Sequence, residues 1–244
     1  MGRETDVEKK LPLSETETDR EAILAFQGVH RALQYTNSSG RGPLTEGIIR
    51  EIHRRCMDAL LPETAAGKYR TMDVGITKAV VTPPHWSSVP GLMREYVAEV
   101  QRRCQGCGCG LNCLPEVIET MAFAHYAFAR IHPFEDGNGR TVRLVCDRLA
   151  RQHKLKPIIV WPSERQTYID ALSAVDKSGN LAHLELFLAG SLEDRYSDGK
   201  VPRDMEYSQR ISQIKDEKLR SIQEQVSLID LSRVWKPFGW PCFE

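Results

Sequence analysis

Along most of the chain apolar residues return at steps of three and four, the spacing of one face of an α-helix. Ile23, Phe26, Val29, His30 and Leu33 mark a first helix that begins at Asp19. A break at Asn37-Ser38-Ser39-Gly40-Arg41-Gly42-Pro43 follows, rich in the residues that turn a chain. Thr45 then reads as the N-cap of a second helix, with Ile48, Ile49, Ile52, Met57 and Leu60 as its apolar stripe. Between Tyr69 and Pro84 the texture changes. Val74, Ile76, Val80 and Val81 around Gly75 and Thr77-Lys78 predict a short β-hairpin, stopped by Pro83-Pro84. Helical spacing resumes with Leu92, Tyr96, Val97 and Val100. It returns from Pro115 with Val117, Ile118, Met121, Phe123, Ala124, Ala127, Phe128 and Ile131, a helix apolar nearly all round and therefore expected at the centre. Val142 to Leu149, Tyr168 to Val175 and Leu184 to Leu188 supply three more stripes, so the expected fold class is all-α with one short β-hairpin.

Three regions are expected: a polar leader over residues 1–18, a main domain over 19–195 and a helical extension over 196–244. Asp198-Gly199-Lys200-Val201-Pro202 reads as a linker. Beyond it Ile211, Ile214, Leu219, Ile222, Val226 and Ile229 lie in a charged helical segment that ends in the aromatic tail Trp235 to Trp240. That extension either packs back on the core or serves as an arm for a partner. With 244 residues, 41% of them hydrophobic, one sizeable core with appendages is expected. Thirty-three Lys and Arg balance 33 Asp and Glu, which argues against a nucleic-acid partner, since such binding rests on a basic field. The charged N-terminal stretch lacks the apolar core of a secretion signal, and no apolar run approaches the roughly 20 residues of a membrane span. Seven cysteines, an odd number with four crowded at Cys104, Cys107, Cys109 and Cys113, do not resemble a secreted disulfide framework. A cytoplasmic protein without a membrane partner is the expectation.

The chemistry concentrates in His132-Pro133-Phe134-Glu135-Asp136-Gly137-Asn138-Gly139-Arg140-Thr141-Val142-Arg143, between the central helix and the one after it. Gly137 and Gly139 allow backbone conformations that expose consecutive N–H groups, and a helix that starts there adds its positive dipole end, so the loop suits phosphate. Arg140 and Arg143, three apart on the emerging helix, can reach further phosphate oxygens on one side, which favours a triphosphate. Asp136 at the lip of the loop is a hard oxygen ligand suited to Mg²⁺ held against those phosphates. His132 lies four residues upstream, where a neutral imidazole could take the proton of an attacking hydroxyl. Each feature alone is more often structural; their conjunction within twelve residues is what carries the argument.

The stretch resembles the motif HxFx(D/E)GNGRxxR of the Fic family, with every fixed position matched. The likeness extends from about residue 20 to 192 and includes Gly67-Lys68-Tyr69-Arg70-Thr71. It implies a Fic-like helical core whose hairpin is a flap that pins the target, with Val74, Ile76, Thr77 and Lys78 as its target-binding residues. It also implies transfer of AMP from ATP to a Ser, Thr or Tyr hydroxyl of a target protein, with release of pyrophosphate and possible self-modification. His132 would be the base and Asp136 the Mg²⁺ ligand bridging the α- and β-phosphates. Gly137, Asn138 and Gly139 would form the anion hole, and Arg140 and Arg143 would hold the outer phosphates, Arg143 the γ-phosphate. Phe134 would anchor the loop in the core. Tyr168 and Asp176 match the region where family members hold adenine and ribose.

Two features depart from the pattern. Many members carry an inhibitory helix, (S/T)xxxE(G/N), whose Glu pairs with the second motif arginine. Here the one Glu followed by Gly or Asn is Glu46, and Gly42 stands four before it, so nothing matches. The cysteine cluster falls where only a connection is expected and could be a Zn²⁺ site, a redox-sensitive group or a plain insertion. The competing functions are a related Fic phosphotransfer, removal of AMP, or a non-catalytic interaction module that uses the cysteines and the C-terminal tail. Gly139, where kinase-like relatives carry Lys, argues for adenylyl transfer.

Overall fold

The computed structural model describes residues 17–39, 42–76, 81–107, 111–156, 158, 160, 162–192 and 205–224. Eight α-helices occur among them: α1 (Glu17–Ser38), α2 (Glu46–Met57), α3 (Val89–Gln105), α4 (Leu114–Ile131), α5 (Asn138–Gln152), α6 (Arg165–Ser178), α7 (Ala182–Ser191) and α8 (Met205–Gln223). α4 is the axis of the core. Val117, Ile118, Met121, Phe123, Ala124, Ala127, Phe128 and Ile131 on its several faces are all buried, as an all-round apolar helix requires. α3, α5 and α7 pack against α4, while α2 and α1 pack on each other and on α5. Thr45 caps α2 as expected, its Oγ accepting the Ile48 N–H at 3.2 Å.

The first helix forms as expected, with Val29 and Leu33 packed against the core. Ile23 and Phe26 are 44% and 73% exposed, and the face turned inward carries Gly28, Ala32 and Thr36. A Cβ at Gly28 would stand 2.2 Å from the Cys56 carbonyl oxygen, so α1 lies against the end of α2 at a distance only small residues permit.

The expected hairpin is not shown, and its centre at residues 77–80 lies outside the described residues. Among the described residues there is no strand: Val74, Gly75 and Ile76 lie in chain without regular structure, and Thr77 and Lys78 fall outside the described residues. Pairing in a ladder, unlike a helix, depends on partners that a local pattern does not contain. Of the cysteine cluster, Cys104, Cys107 and Cys113 are free thiols, and Cys109 lies outside the described residues. Burial pushes Cys104 up to about 11, which keeps it protonated. Among the described residues no group of three or more His, Cys, Asp or Glu side chains could hold a metal, and no helix is long and apolar enough to cross a membrane.

α8 packs on α7 through Tyr207, Ile211 and Ile214, all buried. Its Lys218 ammonium is buried between Glu119 of α4, at 2.9 Å, and Glu185 of α7, at 2.8 Å. Burial pushes the Glu185 carboxyl up, and the Lys218 charge opposes that push. Removing one partner of such a group leaves an uncompensated buried charge, so Lys218→Ala should lower the unfolding free energy by about 3 kcal/mol in urea titration. A loss below about 1 kcal/mol would mean that α8 is held by its apolar face alone.

Candidate active site

The motif loop is built on an aromatic anchor. Phe134 is fully buried, its ring stacked on that of His53 with centroids 3.7 Å apart and planes 8° from parallel, and Tyr69 and Phe128 close the pocket at 5.6 and 6.2 Å. Asn138 staples the loop above it. Its Oδ1 accepts the Phe134 N–H at 3.0 Å, and its Nδ2 donates to the Phe134 carbonyl at 2.8 Å. The Asn138 side chain is thus spent on the loop's shape, leaving only its backbone to face an anion.

His53 on α2 is the support that the sequence reading missed. The Gly67 N–H donates to its Nδ1 at 2.8 Å, so the neutral ring carries its proton on Nε2, which donates to the Asp136 carbonyl at 2.8 Å. Burial holds this imidazole down to about 4, so it stays neutral in the fold. One signal was available: His53 sits four residues after Ile49 and four before Met57, a polar residue on an apolar stripe.

Gly137, the residue before α5, has φ +75°, and a Cβ there would meet Met57 Sδ at 2.6 Å and Cγ at 2.8 Å. Glycine is required on both counts. The loop therefore delivers the free N–H groups at the start of α5 to the surface of a cleft of about 570 Å³. Into this cleft the fold brings His132, Asp136, Gly137, Asn138, Gly139, Arg140 and Arg143 from the motif, Ile76 from the segment before it, and Tyr168 and Asp176 from α6. Val74 is not among its lining residues.

His132 closes α4 in the left-handed region, with φ 48° and ψ 61°, a conformation that costs a side-chain-bearing residue energy and is held only where surroundings enforce it. Its Nδ1 lies 3.4 Å from the Ala129 carbonyl. A carbonyl can only accept, so that contact assigns the proton to Nδ1 and leaves the Nε2 lone pair free. Burial lowers the His132 pKa, with the Arg70 charge adding to the effect and Asp136 opposing it.

Arg140 reaches back to Asp136 at 3.1 Å, an exposed pair of small energetic weight. Among the described residues Arg143 makes no ion pair, and a Cβ at Gly139 would stand 3.4 Å from its Nη1. At the far end Asp176 accepts the Tyr126 hydroxyl at 2.7 Å and pairs with Arg130 at 3.3 Å. The Tyr168 hydroxyl lies 3.3 Å from His125 Nε2, its ring edge-on to the imidazole, and burial raises its pKa to about 12. Arg165, Ile169, Leu172 and Ser173 complete that wall.

Residues 43–150 match the Fic/DOC family, the motif and the helices either side of it included. This segment is a Fic domain. Over 202 residues the chain is 29% identical to the protein adenylyltransferase Fic of Nematostella vectensis, covering 78% of this chain and 44% of that protein. It therefore spans less than half of that relative. Among solved structures it resembles Fic-1 (residues 134–508) of Caenorhabditis elegans, with a TM-score of 0.60 and 21% identity over 88% of this chain and 55% of that one. It also resembles the N-terminal Fic domain of a putative cell filamentation protein of Bartonella quintana, solved with bound ADP, with a TM-score of 0.58 and 14% identity over 73% and 87% of the two chains. These likenesses establish the helical Fic fold.

The buried neutral His53 makes a prediction about pH. An unfolded imidazole titrates near 6.5 and the folded one near 4, so the unfolded chain binds the extra proton in between. Stability should be level above about pH 7 and fall as the pH drops from 6.5 towards 4, by up to about 3 kcal/mol from this group. His125, held down to about 3, acts in the same direction. In His53→Gln the slope of melting temperature against pH over that window should be shallower. An unchanged slope would mean that His53 is already charged in the fold.

Proposed function

We propose that this Fic domain transfers AMP from ATP to a hydroxyl side chain of a protein target. The carrying observation is that a proton acceptor, a carboxylate, a helix N-terminus and two guanidinium groups line one cleft whose other end is walled by Tyr168, Ile169, Leu172 and Asp176. His132 accepts the proton of the target hydroxyl at Nε2. The freed oxygen attacks the α-phosphorus, a P–O bond to it forms, and the bond from that phosphorus to the bridging oxygen of pyrophosphate breaks. His132, neutral near pH 7 because burial depresses its pKa, is ready for this without prior deprotonation.

The N–H groups from Gly137 to Gly139 bind phosphate oxygens with the dipole of α5 behind them. Arg143 takes the outer phosphates, and Arg140 joins it by leaving its weak contact with Asp136. Tyr168 and Asp176 hold the nucleoside, and Ile76 and its neighbours present the target segment. The residues present fit a Mg²⁺ ion: the Asp136 carboxylate is 67% exposed at the cleft beside the phosphate loop, and one carboxylate with substrate oxygens is a usual set for that ion. Bound there, Mg²⁺ would neutralise phosphate charge as the leaving group departs. Adenylyltransferase relatives and a nucleotide-bound Fic neighbour support the same reading.

The deciding experiment incubates the protein with α-labelled and γ-labelled ATP in parallel. Retention of the α label alone on protein means AMP transfer; retention of the γ label would replace the proposal with phosphoryl transfer. His132→Ala should lower transfer by about 10²- to 10⁴-fold with ATP still bound, and activity within about threefold of the parent would remove His132 from the chemistry. Because Arg143 is unpaired among the described residues, the chain should modify itself without an activating change, and Arg143→Ala should lower that rate. A silent parent that one Glu→Gly substitution between Glu4 and Glu21, or at Glu46, switches on would show that a carboxylate restrains the site.

A further inference from the structure

Arg70 has a completely buried side chain, although a cation out of water is costly unless its hydrogen bonds are met. Packing alone would be served by Leu or Met. Its surroundings are almost entirely carbonyl oxygens from separate stretches of chain. Nε donates to His132 at 2.8 Å, Nη1 to Met72 at 3.0 Å, and Nη2 to Pro84 at 2.5 Å and more distantly to Ile131 at 3.5 Å. Its own N–H donates to the Pro133 carbonyl at 2.9 Å. Among the described residues the one carboxylate in reach, Asp73 at 3.5 Å, is itself largely exposed and accepts the Trp86 N–H at 2.9 Å.

We propose that Arg70 is a positioning residue for the transfer, its guanidinium joining the His132 backbone to Met72 and Pro84 as one rigid unit. The inference rests on the proposed AMP transfer for its consequence, but the geometry stands by itself. A guanidinium is planar and presents its donors in a fixed fork, so three bonds in three directions fix their acceptors relative to one another. The Ile131 and His132 carbonyls belong to the C-terminal end of α4, where helix carbonyls lack partners and the dipole favours a cation. Satisfying them there holds His132 in its left-handed conformation, which sets the direction of its imidazole. Met72 and Pro84 flank the stretch that includes Ile76, which lines the cleft. Arg70 itself does not line it. The base and the chain that faces it across the cleft therefore share one anchor. A lysine cannot replace it, since a single ammonium cannot reach three separated carbonyls.

The test uses the full chain with Arg70→Lys and Arg70→Gln, the first keeping the charge without the fork. Three quantities are read: ATP affinity by calorimetry, kcat and KM for ATP in self-modification with α-labelled ATP, and amide hydrogen exchange. Expected in both variants is ATP affinity within about threefold of the parent and kcat lower by about 10²-fold, the scale of a misplacement near one ångström. Exchange should quicken selectively at residues 72–76, 81–86 and 131–134, with α5 unchanged. Transfer within about threefold of the parent with unaltered exchange would overturn the proposal. So would faster exchange spread evenly over the molecule with a lower melting temperature, which would make Arg70 a core strut. Should neither the parent nor any of the Glu→Gly variants transfer label, the AMP-transfer reading fails, and the exchange pattern still decides the role of Arg70.

Discussion

Everything at the site depends on the burial of Phe134 against His53. A phosphate-binding loop must expose backbone N–H groups, and exposed loops without an anchor wander. Here a fully buried ring, a side chain of the kind whose burial is typically worth about 1.5–3 kcal/mol, draws the loop down onto α2 and α4. The stacked imidazole beneath it is polar at both ends and satisfied at both, by the Gly67 N–H and the Asp136 carbonyl. Asn138 completes the constraint with its pair of bonds to Phe134. With these fixed, Gly137 has one place to go, and the start of α5 opens on the cleft.

A division of labour between flexible and rigid parts follows. The groups that would meet phosphate, Arg140 and Arg143, are long side chains on α5 with weak or absent ion pairs among the described residues, free to adapt to a ligand. The groups that set geometry are buried and fully engaged: Asn138, His53 and Arg70. Arg70 and His132 show the two sides of one arrangement, a strained backbone at His132 and the cation that satisfies the carbonyls around it. Burial does a second service at His132, lowering its pKa and so keeping the imidazole in the form that can accept a proton.

The wall opposite the motif loop shows how one residue can be both core and cleft lining. Tyr168 rests edge-on against His125 and touches Phe187, as a core aromatic would, yet its other face lines the cleft. Asp176 is similarly double: it is tied to Tyr126 and Arg130, which fixes its carboxylate where a sugar hydroxyl could reach it. Neither reading excludes the other, because a side chain held on one side is a better platform on the other.

By itself the sequence determined the helical class, the central helix α4, the Thr45 cap and the fixed spacing of the whole motif loop, and for one reason. Each is written in residues close together in the chain, where helical period and fixed motif spacing act without help from elsewhere. It placed α1 but could not show the approach of Gly28 to the Cys56 carbonyl, a relation between two helices that no local stripe reveals. The hairpin expected at Val74 to Val81 has its centre on residues outside those described, and alternation alone could not decide it, since strands need a paired neighbour. His53 and Arg70 were legible only as a polar residue on an apolar face and as part of a quoted run of letters. Their roles lie in contacts 83 and 62 residues away along the chain, to Asp136 and to His132. Only the tertiary structure could decide those, because a buried polar side chain takes its meaning from the particular groups that satisfy its hydrogen bonds.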